Sequence, residues 1–175
     1  MEWMMDADQA IRQVVVDLEE RADEIGWDQP PILIDVRVNL EDGDVMNIET
    51  DPIAFGEHPI DMMKGCFDEG WRPMALLVIA EGNRTMQVEE AMLMPEWENL
   101  PELVRKNWRD VMMQFPPTAM EPFCVEVRTA LYVDAGHEMM LIRDRGGQPS
   151  WLDGEDSGQI VEVARNVIRG VEPLV

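Results

Sequence analysis

Few residues in this chain could bind a transition metal. The sequence contains two histidines, His58 and His137, and two cysteines, Cys66 and Cys124. A zinc site usually takes three or four His, Cys or carboxylate ligands at a recognisable spacing, and these four residues lie in four separate segments. Only a site assembled from distant parts of the chain could use them. We therefore predict that both histidines lie at the surface, that both cysteines are buried reduced thiols, and that the protein binds no cofactor.

Carboxylates are numerous enough for calcium binding or acid–base catalysis to be considered. Asp42, Asp44 and Glu49 lie near Gly43, but their spacing differs from that of an EF-hand loop. A charged hairpin turn explains this segment better. A glycosidase uses a pair of carboxylates. With 36 acidic residues in the chain, some pair is expected to lie close together by chance, so such a pair would not indicate a glycosidase. The carboxylates alone therefore do not indicate an enzyme.

The sequence also lacks the motifs of nucleophilic and nucleotide-dependent enzymes. It has no G-x-S-x-G nucleophile elbow, no Walker-type phosphate loop and no G-x-G-x-x-G dinucleotide loop. We therefore predict that the protein is not an enzyme. An enzyme with an unrecognised carboxylate or metal site is kept as an alternative.

Net charge is the most informative property of the chain. Acidic residues number 36 and basic residues 14, which gives a formal net charge of -22 at pH 7. Residues 1–60 hold 16 of the acids and 3 of the bases, so this segment alone carries a net charge of -13. Such a chain repels nucleic acid and anionic membranes, whereas complementary charge speeds its encounter with a basic protein. A compositional bias of the genome would explain the same acidity without any function.

The predicted function is accordingly that of a non-enzymatic interaction protein with a basic protein partner. The candidate binding residues lie in and before the first hairpin turn: Asp35, Glu41, Asp42 and Asp44. A structural or assembly component that oligomerises is the first alternative, because the chain has 15 methionines and methionine suits adaptable binding surfaces. Exposed methionine and aromatic side chains ringed by acids would resemble the anchor and rim of a protein interface.

Hydrophobic spacing predicts the elements that position these residues. Apolar residues recur at helical intervals from Ile11 to Ile25, which predicts an amphipathic helix that Gly26 ends. Its outward face is expected to carry Asp17, Glu20, Asp23 and Glu24. Residues 32–40 then alternate, which predicts an antiparallel strand with one buried face and one solvent face. The solvent face would include Asp35, and the turn at 41–44 would lead into a second strand over residues 45–50.

The remaining elements follow from the same reasoning. A second helix is predicted from His58 to Gly70, and the apolar run Met74–Ala80 reads as a central strand covered on both faces. We expect a turn at 81–83, a returning strand over 85–94, and a helix within the irregular segment 95–121. A hairpin with strands at 124–133 and 138–143 is followed by a break at 145–149 and a closing helix.

Two segments of the chain resemble known sequences. Gly26-Trp27-Asp28-Gln29-Pro30-Pro31, between an amphipathic helix and an apolar strand, is similar to segments of small uncharacterised proteins from actinobacteria and their phages. Some of these proteins likewise close with an Arg-rich hairpin and a Gly-Gly-X-Pro break, which resembles residues 125–149 of this chain. The resemblance implies a source in actinobacteria or their phages and supplies no catalytic residues, and the low content of Ala with many Met and Ile favours a phage or mobile-element origin.

The order of elements predicts the fold class, and the hydrophobic segments predict the compartment. Mainly antiparallel strands with helices near both termini and in the middle predict an α+β fold, with residues 1–175 forming a single layered domain. The first residues do not resemble a signal peptide, and Met74–Ala80 is too short to span a bilayer. We therefore expect a cytoplasmic protein that does not bind membranes.

Overall fold

The computed structural model describes residues 7–39, 45–50, 71–152 and 158–170. Its strands are β1 (Ile32–Asn39), β2 (Val45–Thr50), β3 (Trp71–Thr85), β4 (Cys124–Asp134), β5 (Glu138–Asp144) and β6 (Pro149–Leu152). Its helices are α1 (Ala7–Ile25), α2 (Val88–Ala91), α3 (Glu102–Lys106), α4 (Trp108–Gln114) and α5 (Gly158–Ile168), with 3-10 turns at Pro95–Asn99 and Pro117–Met120. The predicted turn at 41–44 and the predicted helix over 58–70 lie outside the described residues.

The strands form one six-stranded sheet in the order β2-β1-β3-β4-β5-β6. Each neighbouring pair is antiparallel. Helix α1 packs against β3, β4 and β5, and helix α5 packs against β3 and β4. The predicted α+β fold with an antiparallel sheet is therefore confirmed.

Strand β3 lies in the middle of the sheet and is apolar on both faces. On one face Leu77 and Ile79 pack in a cluster with α1 residues, and on the other Leu76 and Val78 pack with α5 residues. Successive side chains of a strand point to opposite faces, so an unbroken apolar run is what a doubly covered strand requires. The predicted central strand at residues 74–80 is confirmed, although Met74 itself is exposed.

Strand β1 corrects the prediction of one buried and one solvent face. Leu33 and Asp35, both assigned to solvent, are each 0% exposed, whereas Ile32 and Ile34 are only half-buried beside α1. Leu33 belongs to the cluster that α5 forms on the opposite face. The prediction failed because alternation within one strand cannot reveal that a distant helix covers the polar-looking face.

The hairpin of β4 and β5 has the predicted position. Leu131 pairs with Met140 and Val133 pairs with Glu138. Met139 and Met140 point to opposite faces, yet each is only 8% exposed, because both faces of the sheet are covered. The predicted break at 145–149 is a turn, after which β6 adds a short edge strand beside β5.

Residues 86–123 form a helical insertion between β3 and β4. Strand β3 continues to Thr85, and the residues predicted to turn at 81–83 instead pair with β4. The predicted strand at 85–94 is also wrong, because Val88–Ala91 form α2, in which the Glu90 side chain accepts a 2.8 Å hydrogen bond from the Gln87 amide. The predicted helix in segment 95–121 appears as two short helices, α3 and α4.

Three aromatic rings form a separate core for the insertion. Trp97, Trp108 and Phe123 meet edge to face, with ring centroids 5.3 to 6.4 Å apart. The Trp108 indole also donates a 2.9 Å hydrogen bond to the Met86 carbonyl. Edge-to-face aromatic pairs add to the stabilisation from burial alone. The insertion therefore has a hydrophobic cluster distinct from those on the two faces of the sheet.

Candidate functional site

Two arginines on the sheet bind carboxylates of α1 in a buried ion cluster. Arg143 donates two hydrogen bonds of 2.7 Å to the carboxylate of Glu19, one to each oxygen. Arg128 donates to Asp23 at 3.1 Å and to Glu81 at 3.0 Å. The side chain of Glu19 is 0% exposed and that of Arg128 is 1% exposed, whereas that of Asp23 is 38% exposed, so the cluster extends from the interior to the surface.

The segment after α1 completes this cluster. Arg128 donates a 2.5 Å hydrogen bond to the Gly26 carbonyl and lies 4.5 Å from the ring centre of Trp27. Arg145 lies 5.6 Å from the same ring. The Glu81 carboxylate accepts a 2.7 Å hydrogen bond from the amide of Asp28. The two segments that carry the sequence resemblance are therefore in direct contact.

The ion cluster can hold elements together but is poorly suited to proton transfer. The hydrogen bonds that Arg143 donates to Glu19 raise the pKa of Arg143, although burial opposes this effect. A guanidinium does not lose its proton in proteins, and bidentate pairing fixes its geometry. The cluster therefore binds α1 and the following segment to the sheet.

A signal for this cluster is present in the sequence. Arg128 and Arg143 are directly opposite each other on adjacent strands, where like charges destabilise a sheet unless counter-ions separate them. Glu19 follows Val15 by four residues and so shares the buried face of α1. Of the four carboxylates assigned to the solvent face, Asp17, Glu20 and Glu24 are exposed, but Asp23 is half-buried against the arginines.

His137 lies between two carboxylates at the turn that joins β4 to β5. Its Nδ1 is 2.9 Å from Asp134 Oδ1, and its Nε2 is 3.1 Å from Asp8 Oδ1 in the first turn of α1. Asp134 also accepts hydrogen bonds from the Tyr132 hydroxyl and the Gly136 amide. Burial raises the pKa of Asp134, but these hydrogen bonds outweigh it and lower the pKa below its ordinary value. His137 is half-buried at this turn, with one ring nitrogen beside each carboxylate.

A cleft of about 210 Å³ lies beside this turn. It is lined by His137, Asp134, Glu138, Arg165 and Arg169, among others. Arg165 and Glu138 form an ion pair across it. Positive and negative groups are mixed in its walls, so the cleft does not present a field of one sign to a ligand.

Arg84 fixes the helical insertion to the sheet. It donates hydrogen bonds of 2.9 and 2.6 Å to Asp144 and two of 2.7 Å to Glu90. Its hydrogen bonds lower the pKa of Glu90. One guanidinium thus connects the start of the insertion with the end of β5.

Large apolar side chains of the insertion are exposed. The exposed fractions are 86% for Leu93, 79% for Met113, 74% for Leu103, 58% for Met92 and 51% for Phe115. Exposed carboxylates occur in the same segment: Glu89, Glu96, Glu98, Glu102, Asp110 and Glu121. Trp151 of β6 is half-buried against the cluster that α1 forms with the sheet.

The predicted site residues do not come together in the described part of the chain. Asp35 is buried in β1 and cannot belong to an exposed acidic surface, so its assignment is corrected. Glu41, Asp42 and Asp44 lie outside the described residues, as do His58 and Cys66. Cys124 is a free thiol, but it is half-buried and not buried, and this partial burial raises its pKa.

Comparison with known proteins gave no match. No family model, no curated protein and no solved structure matches the chain. Within the described ranges, no group of three or more His, Cys, Asp or Glu residues is arranged to hold a metal ion. None of the helices described is long and apolar enough to cross a bilayer.

Proposed function

We propose that this chain is a non-enzymatic interaction protein that binds a basic protein partner. One observation carries the proposal: carboxylates outnumber basic groups among the exposed side chains of the described residues. Among residues whose burial is described, 13 acidic but only 7 basic side chains are exposed. Complementary charge of this kind speeds association and selects the partner.

The excess follows from the composition of the chain, and several of the arginines are in addition paired with carboxylates. Arg128 and Arg143 are buried with carboxylates, and Arg84 binds two more. Of the exposed bases, Arg145 and Lys106 each pair with an acid, Glu126 and Glu102 respectively. The described part of the surface therefore offers fewer cations to an acidic partner than carboxylates to a basic one.

The experiment is capture of partners by the tagged full chain at low and high salt. We expect a protein with an excess of Lys and Arg to be retained at low salt and released at high salt, because exposed charges are screened. Two neutralised variants locate the surface: Glu41→Gln with Asp42→Asn and Asp44→Asn, and Asp17→Asn with Glu20→Gln and Glu24→Gln. Asp35 is left unchanged because it is buried, and its substitution could reduce binding by destabilising the fold.

Two outcomes of the capture experiment would contradict the proposed function. Capture of the same proteins by wild type and by both variants would contradict binding through these carboxylates. Capture that does not depend on salt would contradict an electrostatic partner altogether. Metal analysis of the purified protein tests the alternative of an enzyme with a metal site, and light scattering over a range of concentrations tests the alternative of an assembly component.

A further inference from the structure

An apolar cavity of about 80 Å³ lies between the end of α1 and the sheet. Its apolar wall is formed by Ala22, Ile25, Pro30, Ile32 and Ile79. Ala22 and Ile79 are buried, whereas Ile25, the last residue of α1, is 66% exposed. Because these side chains border one cavity, they form one contiguous surface, which Ile25 extends to solvent.

The two ionised groups in the wall are already bound within the protein. Arg128 and Glu81 also line the cavity, and a hydrogen bond of 3.0 Å joins them. The second carboxylate oxygen of Glu81 accepts hydrogen bonds of 2.7 and 3.2 Å from the amides of Asp28 and Gln29. An apolar group therefore suits this cavity better than a charged one, since cavities with apolar walls bind apolar molecules.

The volume of the cavity limits the size of its occupant. An engineered cavity of about 150 Å³ holds benzene, which has six carbon atoms. A cavity of about 80 Å³ therefore has room for about three or four carbon atoms, which is the size of a valine or leucine side chain. An indole ring is too large for it.

The walls are held in place without a ligand. Gly26 turns the chain away from α1 with a φ of 111°, and its carbonyl accepts a 2.5 Å hydrogen bond from Arg128. The hydrogen bonds of Glu81 then fix the next segment against β3. A pocket that is already formed loses little conformational entropy when it is filled.

Charge around the cavity selects the kind of molecule that carries this side chain. Residues 19–31, which supply four of the lining residues, hold five acids and one base, a net charge of -4. This charge density is more than twice the average of the chain, which carries -22 over 175 residues. The exposed charged residues of this segment and of the adjacent Arg145 pair are four acids and two bases: Glu20, Glu24, Asp28, Glu126, Arg21 and Arg145. A basic protein complements this surface, whereas a second copy of the acidic chain would be repelled.

We infer that this cavity takes one valine- or leucine-sized side chain of a basic protein partner. The inference rests on the proposed function and specifies the apolar contact that the partner makes. The carboxylates beside the cavity attract the cationic partner, and burial of one aliphatic side chain against Ile25, Ile32 and Ile79 then anchors it.

Nine-residue peptides with four lysines on each side of one central residue test this inference on the full chain. The central residue is leucine, alanine or tryptophan, so the charge is the same in all three. Fluorescence anisotropy with labelled peptides gives the affinities at low salt. We expect the leucine peptide to bind about tenfold more tightly than the alanine peptide, because it buries about three more carbon atoms. The tryptophan peptide should bind less tightly than the leucine peptide, because indole exceeds the cavity.

A variant that fills the cavity then locates the contact. Ala22→Leu places a leucine side chain in the wall and is expected to weaken binding of the leucine peptide about tenfold while binding of the alanine peptide stays unchanged. The matched control is Ala119→Leu at an exposed position outside the cavity, which should change neither affinity by more than about twofold. A measurement on wild type does not depend on how the variant folds. Nuclear Overhauser spectra with a methyl-labelled leucine peptide should connect its methyl groups with those of Ile25, Ile32 and Ile79.

The outcomes separate this inference from the proposed function. If the leucine and alanine peptides bind equally, or if the leucine methyl groups contact other residues, the cavity is not the anchor site, although salt-sensitive binding of a basic partner still stands. If none of the peptides binds at low salt, both proposals fail. If light scattering shows self-association that Ala22→Leu abolishes, the cavity binds a second copy and the inference is overturned.

Discussion

Arg143 in β5 and Glu19 in α1, 124 residues apart in the sequence, are joined by two hydrogen bonds of 2.7 Å. The contact attaches the first helix to the sheet near the opposite end of the chain. Both charges are removed from water, so each depends on the other for stabilisation. This dependence makes the pair a sensitive test of how α1 is held.

Removing one member of this pair should be costly. Arg143→Met leaves the Glu19 carboxylate buried without its main partner, and we expect the free energy of unfolding to fall by about 3–5 kcal/mol. The double variant Arg143→Met with Glu19→Leu should regain most of this loss, because an apolar pair can replace a buried ion pair. Urea unfolding measures both. A loss below about 1 kcal/mol in the single variant would mean that the pair is solvated.

Gly26 should resist substitution for a purely conformational reason. Its φ is 111°, and no atom lies within 4 Å of the position that a Cβ would occupy. Gly26→Ala is therefore expected to lower the free energy of unfolding by about 1–3 kcal/mol through backbone strain alone. Gly82→Ala is the matched control, since that position is equally open and has no positive φ. Similar stabilities for the two variants would disprove this explanation.

The insertion should lose its structure without loss of the sheet. Trp108→Ala removes the most buried aromatic ring of the insertion core, and such truncations cost about 3–5 kcal/mol. Hydrogen exchange should show faster exchange in α3 and α4 and nearly unchanged protection in β4 and β5. Leu103→Ala is the control and should change stability by less than about 0.5 kcal/mol, because that side chain is largely exposed. Equal loss of protection in β4 would indicate one cooperative core.

Asp134 should contribute to the pH dependence of stability. Its pKa is lowered in the folded protein, so the contribution is complete above the ordinary aspartate pKa of about 4 and is lost as the pH falls through the lower folded pKa. Asp134→Asn should therefore reduce the midpoint of thermal unfolding at neutral pH and have a shrinking effect below about pH 4. The exposed Asp110→Asn provides the comparison. A difference that grows as the pH falls would have the wrong sign.

Local patterns were sufficient for much of the fold. The helical spacing from Ile11 to Ile25 predicts α1, and the unbroken apolar run of β3 predicts a strand that is covered on both faces. Sequence patterns failed to predict burial where an element distant in the sequence covers the residue. Asp35 faces the side of the sheet that α5 covers, although about 120 residues separate it from α5.

The ion cluster could have been inferred in part. Ala130 and Leu141 lie two residues from Arg128 and Arg143, so each arginine shares a sheet face with an apolar residue, which indicates that this face is covered. Their partner could not be identified from the sequence. Glu19 is one of several acidic residues in α1 and differs from the others in lying on the buried face of the helix. The exposure of side chains in the insertion could not be predicted either. The segment has no hydrophobic periodicity, and which side chains are exposed depends on how the aromatic core packs.

The helical insertion begins and ends at positions that are neighbours in the sheet, because Thr85 pairs with Cys124. The chain thus leaves the sheet and returns to it at one place, and the number of residues in between does not affect the alignment of β3 with β4. Changes in the length or surface of residues 86–123 would leave the cores beside α1 and α5 intact. Substitutions and length changes could therefore accumulate in the insertion while the register of the sheet stays the same.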